Sequence, residues 1–238
     1  MKHSKLRIIL REFCLAIMIV LLCAGLIFSV VKNYREIQMT FKTIRYSIQG
    51  YDQGEILLIG SSYMEYWTTS EADLGPLHTI NVGVAGTRVH NWKENIDNLV
   101  TPFHPKAILF YMGSNDIDGT SYSKSGDEVA QELEEFFDMV HDRLPDTPIY
   151  YMSITPVPSR MSVWEDTKRC NELMNQLAEE RDYMTFIDVT DLVLDENGVP
   201  KPELFRSDNT HFNADGYALW ASAIRPVMLN DLAEGESK

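Results

Sequence analysis

Cysteine is scarce in this chain: Cys14 and Cys23 lie in an apolar stretch near the N-terminus, and Cys170 stands alone in the rest. A disulfide inside the globular part is therefore excluded. Histidine is nearly as sparse, and His3, His78, His90, His104 and His141 show no spacing suited to a metal. That argues against a metallohydrolase, and no cofactor is called for. The Gly-x-Ser-x-Gly elbow of α/β-hydrolases is missing. Ser121-x-x-Lys124 and Ser207-Asp-Asn209 mimic penicillin-binding motifs, but the required lysine motif falls out of order, so the match is chance. Low-complexity tracts and internal repeats are also absent.

Positive charge is in short supply as well, with a net charge of -14. Such a surface repels phosphate backbones, which argues against sequence-independent nucleic-acid binding. The shortage is uneven: residues 1 to 35 carry Lys2, Lys5, Arg7, Arg11, Lys32 and Arg35 against Glu12 alone.

Within that basic segment, Phe13 to Val31 runs without a charge. At about 1.5 Å per residue it is about 28 Å of helix, close to the hydrocarbon thickness of a bilayer. It has no polar face and no small-x-small cleavage site. An uncleaved single-pass anchor is expected, and the flanking basic residues put the N-terminus in the cytoplasm and the domain outside. The expected organisation is a basic N-terminus over 1–12, a transmembrane helix over 13–31 and a juxtamembrane connector over 32–53. One domain then covers 54–232, with a short tail over 233–238.

In the domain, apolar runs recur at Glu55 to Ile59, His78 to Val82, Ala107 to Met112, Ile149 to Ile154 and Thr185 to Val189. Runs of this length and composition read as buried parallel strands. Asp127 to Arg143 and Trp164 to Arg181 carry apolar residues at three and four spacing and read as helices. Alternation of the two predicts a three-layer α/β/α domain with a parallel sheet, whose ligands bind beyond the carboxyl ends of the strands. A last helix is announced by Asn213-Ala-Asp-Gly216, with Asn213 as its N-cap.

The polar, glycine-containing segments fall at those strand ends. A serine hydroxyl becomes a useful nucleophile only beside a base and facing donors for the oxyanion. Ser62 follows the first strand and Gly60, where a sharp turn exposes its hydroxyl. Asp208 and His211 are three residues apart on a loop, close enough for the carboxylate to orient the imidazole. Gly86 offers a backbone N–H and Asn115 a side-chain N–H. Singly, each is ordinary turn or cap chemistry; their joint occurrence in this order is the signal.

Ile59-Gly-Ser-Ser62, Asn81-Val-Gly-Val-Ala-Gly86, Gly113-Ser-Asn-Asp116 and Asp208-Asn-Thr-His211 resemble the four blocks of the SGNH (GDSL-type) hydrolases, over residues 55 to 228. The resemblance implies a flavodoxin-like five-stranded sheet, Ser62 as nucleophile and Asp208 and His211 as its partners. It also implies an oxyanion hole from the Ser62 amide, Gly86 and Asn115. One departure stands out, since Ser61 occupies the place of the family's usual aspartate. A branch with Gly-Ser-Ser and a following tryptophan is similar, with Trp67 in that place. Ser61 remains a rival nucleophile.

Tyr63, Trp67, Arg88 and Arg160 flank the expected cleft and are further candidates for substrate contact. The expected activity is hydrolysis of a small-molecule or glycan carboxylic ester, with short acyl groups such as O-acetyl favoured. Transfer of the acyl group to a carbohydrate hydroxyl and a silent surface-binding domain are the alternatives. Oligomeric state is not legible.

Overall fold

Ile56 to Gly60 and Ala107 to Tyr111 have no polar alternation, and both are buried along their whole length as central strands. The computed structural model describes residues 2–235, with side chains from 15 to 233. In chain order the elements are α1 (Lys2–Lys32), α2 (Tyr34–Gln49), β1 (Ile56–Gly60), α3 (Ser62–Tyr66), α4 (Ser70–Asp73), β2 (Thr79–Asn81), α5 (Val89–Leu99) and β3 (Ala107–Tyr111). They continue with α6 (Gly126–Arg143), β4 (Ile149–Met152), α7 (Trp164–Glu180), β5 (Met184–Ile187), α8 (Thr190–Val193) and α9 (Ala214–Gly235).

The five strands form one sheet in the order β2-β1-β3-β4-β5, and every pairing is parallel. This is the doubly wound order that switches direction between β1 and β3, where ligands of such sheets bind. The expected three-layer architecture is thus present, and each expected strand lies within two residues of its observed range.

Alternate strand residues feed two separate cores. Leu57, Ile59, Ile108, Phe110 and Tyr151 pack with Met39 of α2 and with α5, α6 and α7. Ile56, Leu58, Leu109, Tyr111 and Met152 face the other way, onto α3, α8 and α9. That second core is aromatic, with the Trp220 ring 4.8 Å from Tyr111 and 5.3 Å from Tyr63. Asn213 caps α9 as expected, its Oδ1 accepting from the amides of Asp215 (2.9 Å) and Gly216 (3.1 Å).

At the N-terminus, α1 contains a segment, Leu15–Lys32, long and apolar enough to cross a membrane, with a mean hydropathy of 2.6 and none of it buried against the domain. The basic side chains expected over 1–12 lie outside the described side chains. The connector expected over 32–53 is largely helical. Hydrogen bonds carry the helix past Asn33, whose amide reaches Ser29 O (3.0 Å) and whose carbonyl accepts from Ile37 (2.9 Å). α2 then docks on the domain through the fully buried Met39. At the other end α9 runs to Gly235, so the expected tail begins as helix, and 236–238 lie outside the described residues.

Candidate active site

The Ser62 side of the site is fixed by backbone. Where β1 ends, a Cβ on Gly60 would stand 2.1 Å from the carbonyl oxygen of Tyr111, so only glycine allows the two strand ends to approach this closely. Ser62 comes two residues later as the first residue of α3. An amide at that helical position has no intrahelical acceptor and is left for another partner. The Ser62 side chain is nearly buried, and its Oγ lies 2.8 Å from His211 Nε2. Ser61 is buried, and its Oγ has no hydrogen-bond partner among the described residues. His211 therefore engages Ser62.

The base side is fixed by side chains. Asp208 Oδ2 lies 2.7 Å from His211 Nδ1, while Asp208 Oδ1 accepts from the backbone amides of Thr210 and His211, both at 2.9 Å. Asp208, His211 and Ser62 thus form one continuous hydrogen-bonded chain. Slight burial raises the Asp208 pKa, but the amide and ring of His211 and the amide of Thr210 outweigh it and hold the carboxyl down at about 2. A carboxylate ionised over the whole working range fixes the imidazole tautomer with Nε2 facing the hydroxyl.

Two loops close the same strand edge. Gly86, with φ +74, sits in the left-handed region that favours glycine. Thr87 follows, and its carbonyl accepts from Asn115 Nδ2 at 3.1 Å, which ties the β2 loop to the β3 loop. The other end of that amide is held too, since Arg160 Nη2 donates to Asn115 Oδ1 at 3.2 Å. Arg160 also donates through Nη1 to the Ser114 carbonyl. With its oxygen occupied and one N–H spent on Thr87, Asn115 keeps a second N–H for a ligand. The geometry suits acyl transfer: a base-paired hydroxyl, an oriented imidazole and N–H donors at one edge.

A family model, the GDSL-like Lipase/Acylhydrolase family, matches residues 49–219. The chain belongs to that family. It is an enzyme of the acylhydrolase and esterase class. A search of curated proteins finds no match. Among solved structures, a Streptococcus pneumoniae protein provisionally named platelet activating factor is 24% identical, covering 85% of this chain and 98% of its own, with a TM-score of 0.73. A GDSL-like lipase from Bacteroides thetaiotaomicron is 15% identical, covering 79% of this chain and 98% of its own, at TM-score 0.64. A carbohydrate esterase of family 3 from Talaromyces cellulolyticus is 14% identical, covering 76% and 99%, at 0.61. At these identities the likeness is one of fold.

Of the four residues expected around the cleft of this acylhydrolase, Tyr63 and Arg160 line a recess there, Arg88 lies at the edge, and Trp67 turns away. Trp67 is a correction: it is fully buried, its Nε1 donates to Asp73 Oδ2 at 2.7 Å, and its ring stacks on Tyr217 with centroids 5.6 Å apart. No face of it is left for substrate. Tyr63 is also buried, and its hydroxyl donates to the Thr210 carbonyl, so it ties α3 to the loop that carries His211. Arg88, at the site edge, is paired with Asp118 at 2.8 Å. Arg160 orients Asn115, as above. Tyr63, Ile154, Pro156, Val157, Arg160 and Trp164 line a narrow recess beside Thr210.

Several residues that shape the site carry no sequence signal. Tyr66 sets its ring edge-on to His211, with centroids 5.0 Å apart, and Arg206 stacks over Tyr66 at 5.1 Å. Arg206 also donates from its amide to the His211 carbonyl (2.7 Å) and from Nε to the Phe212 carbonyl (2.8 Å). Ser159 donates its amide to the Asn209 carbonyl at 3.1 Å, and its Oγ pairs with Thr210 Oγ1 at 2.8 Å. Glu65 Oε2 accepts the Ala85 amide at 2.8 Å and so holds the Gly86 loop over α3.

Proposed function

We propose that this chain is a serine-dependent carboxylic ester hydrolase working through an acyl-enzyme on Ser62. Its main support is the chain of hydrogen bonds from Asp208 through His211 to Ser62, at 2.7 and 2.8 Å. As Ser62 Oγ attacks the ester carbonyl carbon, its proton passes to His211 Nε2. The carbonyl π electrons move onto oxygen, which the amides of Ser62 and Gly86 and the Asn115 N–H would hold. Collapse of this intermediate breaks the bond to the alcohol, which leaves with the proton from His211. Water then attacks the acyl-enzyme with His211 as base, releasing the acid and restoring Ser62.

Short acyl groups, above all acetyl on a glycan, are the substrates we favour. The fold shared with Axe2, an acetyl-xylooligosaccharide esterase from Geobacillus, supports this. We further infer that α1 is an uncleaved anchor with the domain outside the cytoplasm. The apolar length of Leu15–Lys32 and the basic residues before it in the sequence support that reading. N-terminal sequencing of the mature protein tests it, because a cleaved signal would remove the Leu15–Lys32 segment.

For the activity, the full chain in detergent is incubated with 4-nitrophenyl acetate and with an acetyl-labelled donor plus a glycan acceptor. Free acetate should dominate, and mass spectrometry of the quenched protein should find the acetyl adduct on Ser62. Acetylated glycan exceeding free acetate would point to acyl transfer, and an adduct elsewhere would overturn the assignment.

A further inference from the structure

The start of α2 and the end of α1 are the same place, and α2 is pinned to the domain in a fixed direction. Arg35, at its first turn, packs against Gly86, its Nε 2.8 Å from where a Cβ of that glycine would stand. One residue on, Glu36 accepts from Asn91 Nδ2. Farther along, Met39 Sδ meets Asn95 Nδ2 at 3.7 Å, and Tyr46 meets the Phe103 ring at 5.0 Å. Just past α2, Tyr51 Oη donates to the Asn98 carbonyl at 3.3 Å. From Arg35 through Glu36 and Met39 to Tyr46 these partners rise from Gly86 through Asn91 and Asn95 to Phe103, so α2 runs alongside α5 in the same direction, from the carboxyl edge of the sheet to its amino edge. Lys42 Nζ adds a tie to the Gly83 carbonyl at 2.7 Å.

The membrane end of α2 is therefore the catalytic end. Arg35 lies three residues past Lys32, which is about 5 Å along a helix. It makes no ion pair among the described residues, and it sits on an otherwise acidic protein. We propose that the catalytic edge of the domain faces and docks on the bilayer that holds α1, with Lys32 and Arg35 set against lipid phosphates. The opening beside Ser62 and His211 then faces the headgroup layer, and the ester substrate is met at the membrane surface. This rests on the anchor reading above.

The test uses the full chain with Cys14→Ser and Cys23→Ser; the remaining Cys170 is buried and unreactive to a bulky label. One cysteine is introduced for a fluorophore, either Tyr122→Cys or Asp146→Cys. Tyr122 is 79% exposed on the loop after β3, and its carbonyl accepts from Arg88. Asp146 is exposed just before β4, at the opposite edge. Each protein is reconstituted into vesicles of phosphatidylcholine and phosphatidylglycerol containing a lipid with a nitroxide on its headgroup. Emission from the Tyr122 label should be quenched at least threefold more than that from the Asp146 label, and Arg35→Glu should reduce the difference. Equal quenching, stronger quenching at Asp146, or no quenching in protein that floats with the vesicles would overturn the docking. Protein that fails to float would overturn the anchor as well, while leaving ester hydrolysis, assayed separately with 4-nitrophenyl acetate, unaffected.

Discussion

The two halves of the site are held in different ways. Ser62 is placed by main chain, through a strand end at which β1 and β3 nearly touch and a helix that starts two residues later. His211 depends as well on side chains, Tyr63 Oη to Thr210, Ser159 Oγ to Thr210 and Arg206 Nε to the Phe212 carbonyl, added to backbone amides of Ser159 and Arg206 on the Asn209 and His211 carbonyls. A nucleophile set in backbone cannot be adjusted without disturbing the fold. A base loop held by side-chain ties can be loosened while the domain stays intact. Substitutions in the backbone that places Ser62 should register mainly as stability, and those in the ties around His211 mainly as rate.

Gly60→Ala tests the first half most severely. A methyl group 2.1 Å from the Tyr111 oxygen forces the central strands apart, and unfolding in urea should show a loss of about 4 kcal/mol or more. A stable Gly60→Ala protein would show that the strand ends have slack. On the second half, Asp208→Asn keeps the shape of the loop but loses the charge that sets the imidazole tautomer. Its kcat should fall roughly 10³- to 10⁴-fold with a thermal midpoint within a few degrees of wild type. If the midpoint drops sharply instead, the carboxylate is a structural cap and the division between the halves fails.

Tyr63→Phe straddles the two halves, since it removes only the hydroxyl that joins nucleophile helix to base loop. Roughly 1 kcal/mol of stability and about tenfold in kcat should be lost, with KM little changed. The smallest effect is one of pH. With the Asp208 carboxyl held down at about 2, its contribution to stability is fully present above the unfolded value of about 3.9 and is lost as pH falls through about 2. Asp208→Asn should flatten the acid limb of the stability curve between about pH 4 and 2 relative to wild type, as followed by circular dichroism.

The same contrast explains what was legible in the sequence. Buried strands and long amphipathic helices announce themselves by local period, and strand-end glycines with polar neighbours mark the nucleophile side. α2 was hidden because its pattern misleads: Tyr34, Phe41, Ile44 and Ile48 are exposed, while Glu36 and Lys42 make contacts on the docked side. Trp67 looked like a cleft residue because a short sequence cannot say which way a ring after the nucleophile turns; here it turns into the aromatic core. Tyr63 and Thr210 are 147 residues apart, so their bond has no local signature.

The central claim is that Ser62, and not its neighbour Ser61, is the nucleophile driven by His211. Hydrolysis of 4-nitrophenyl acetate by the full chain should therefore be compared between Ser62→Ala and Ser61→Ala at matched concentration and fold. Ser62→Ala should lower kcat/KM by roughly 10³-fold or more while Ser61→Ala keeps most of the wild-type value. Equal losses in the two proteins, or a greater loss in Ser61→Ala, would contradict it.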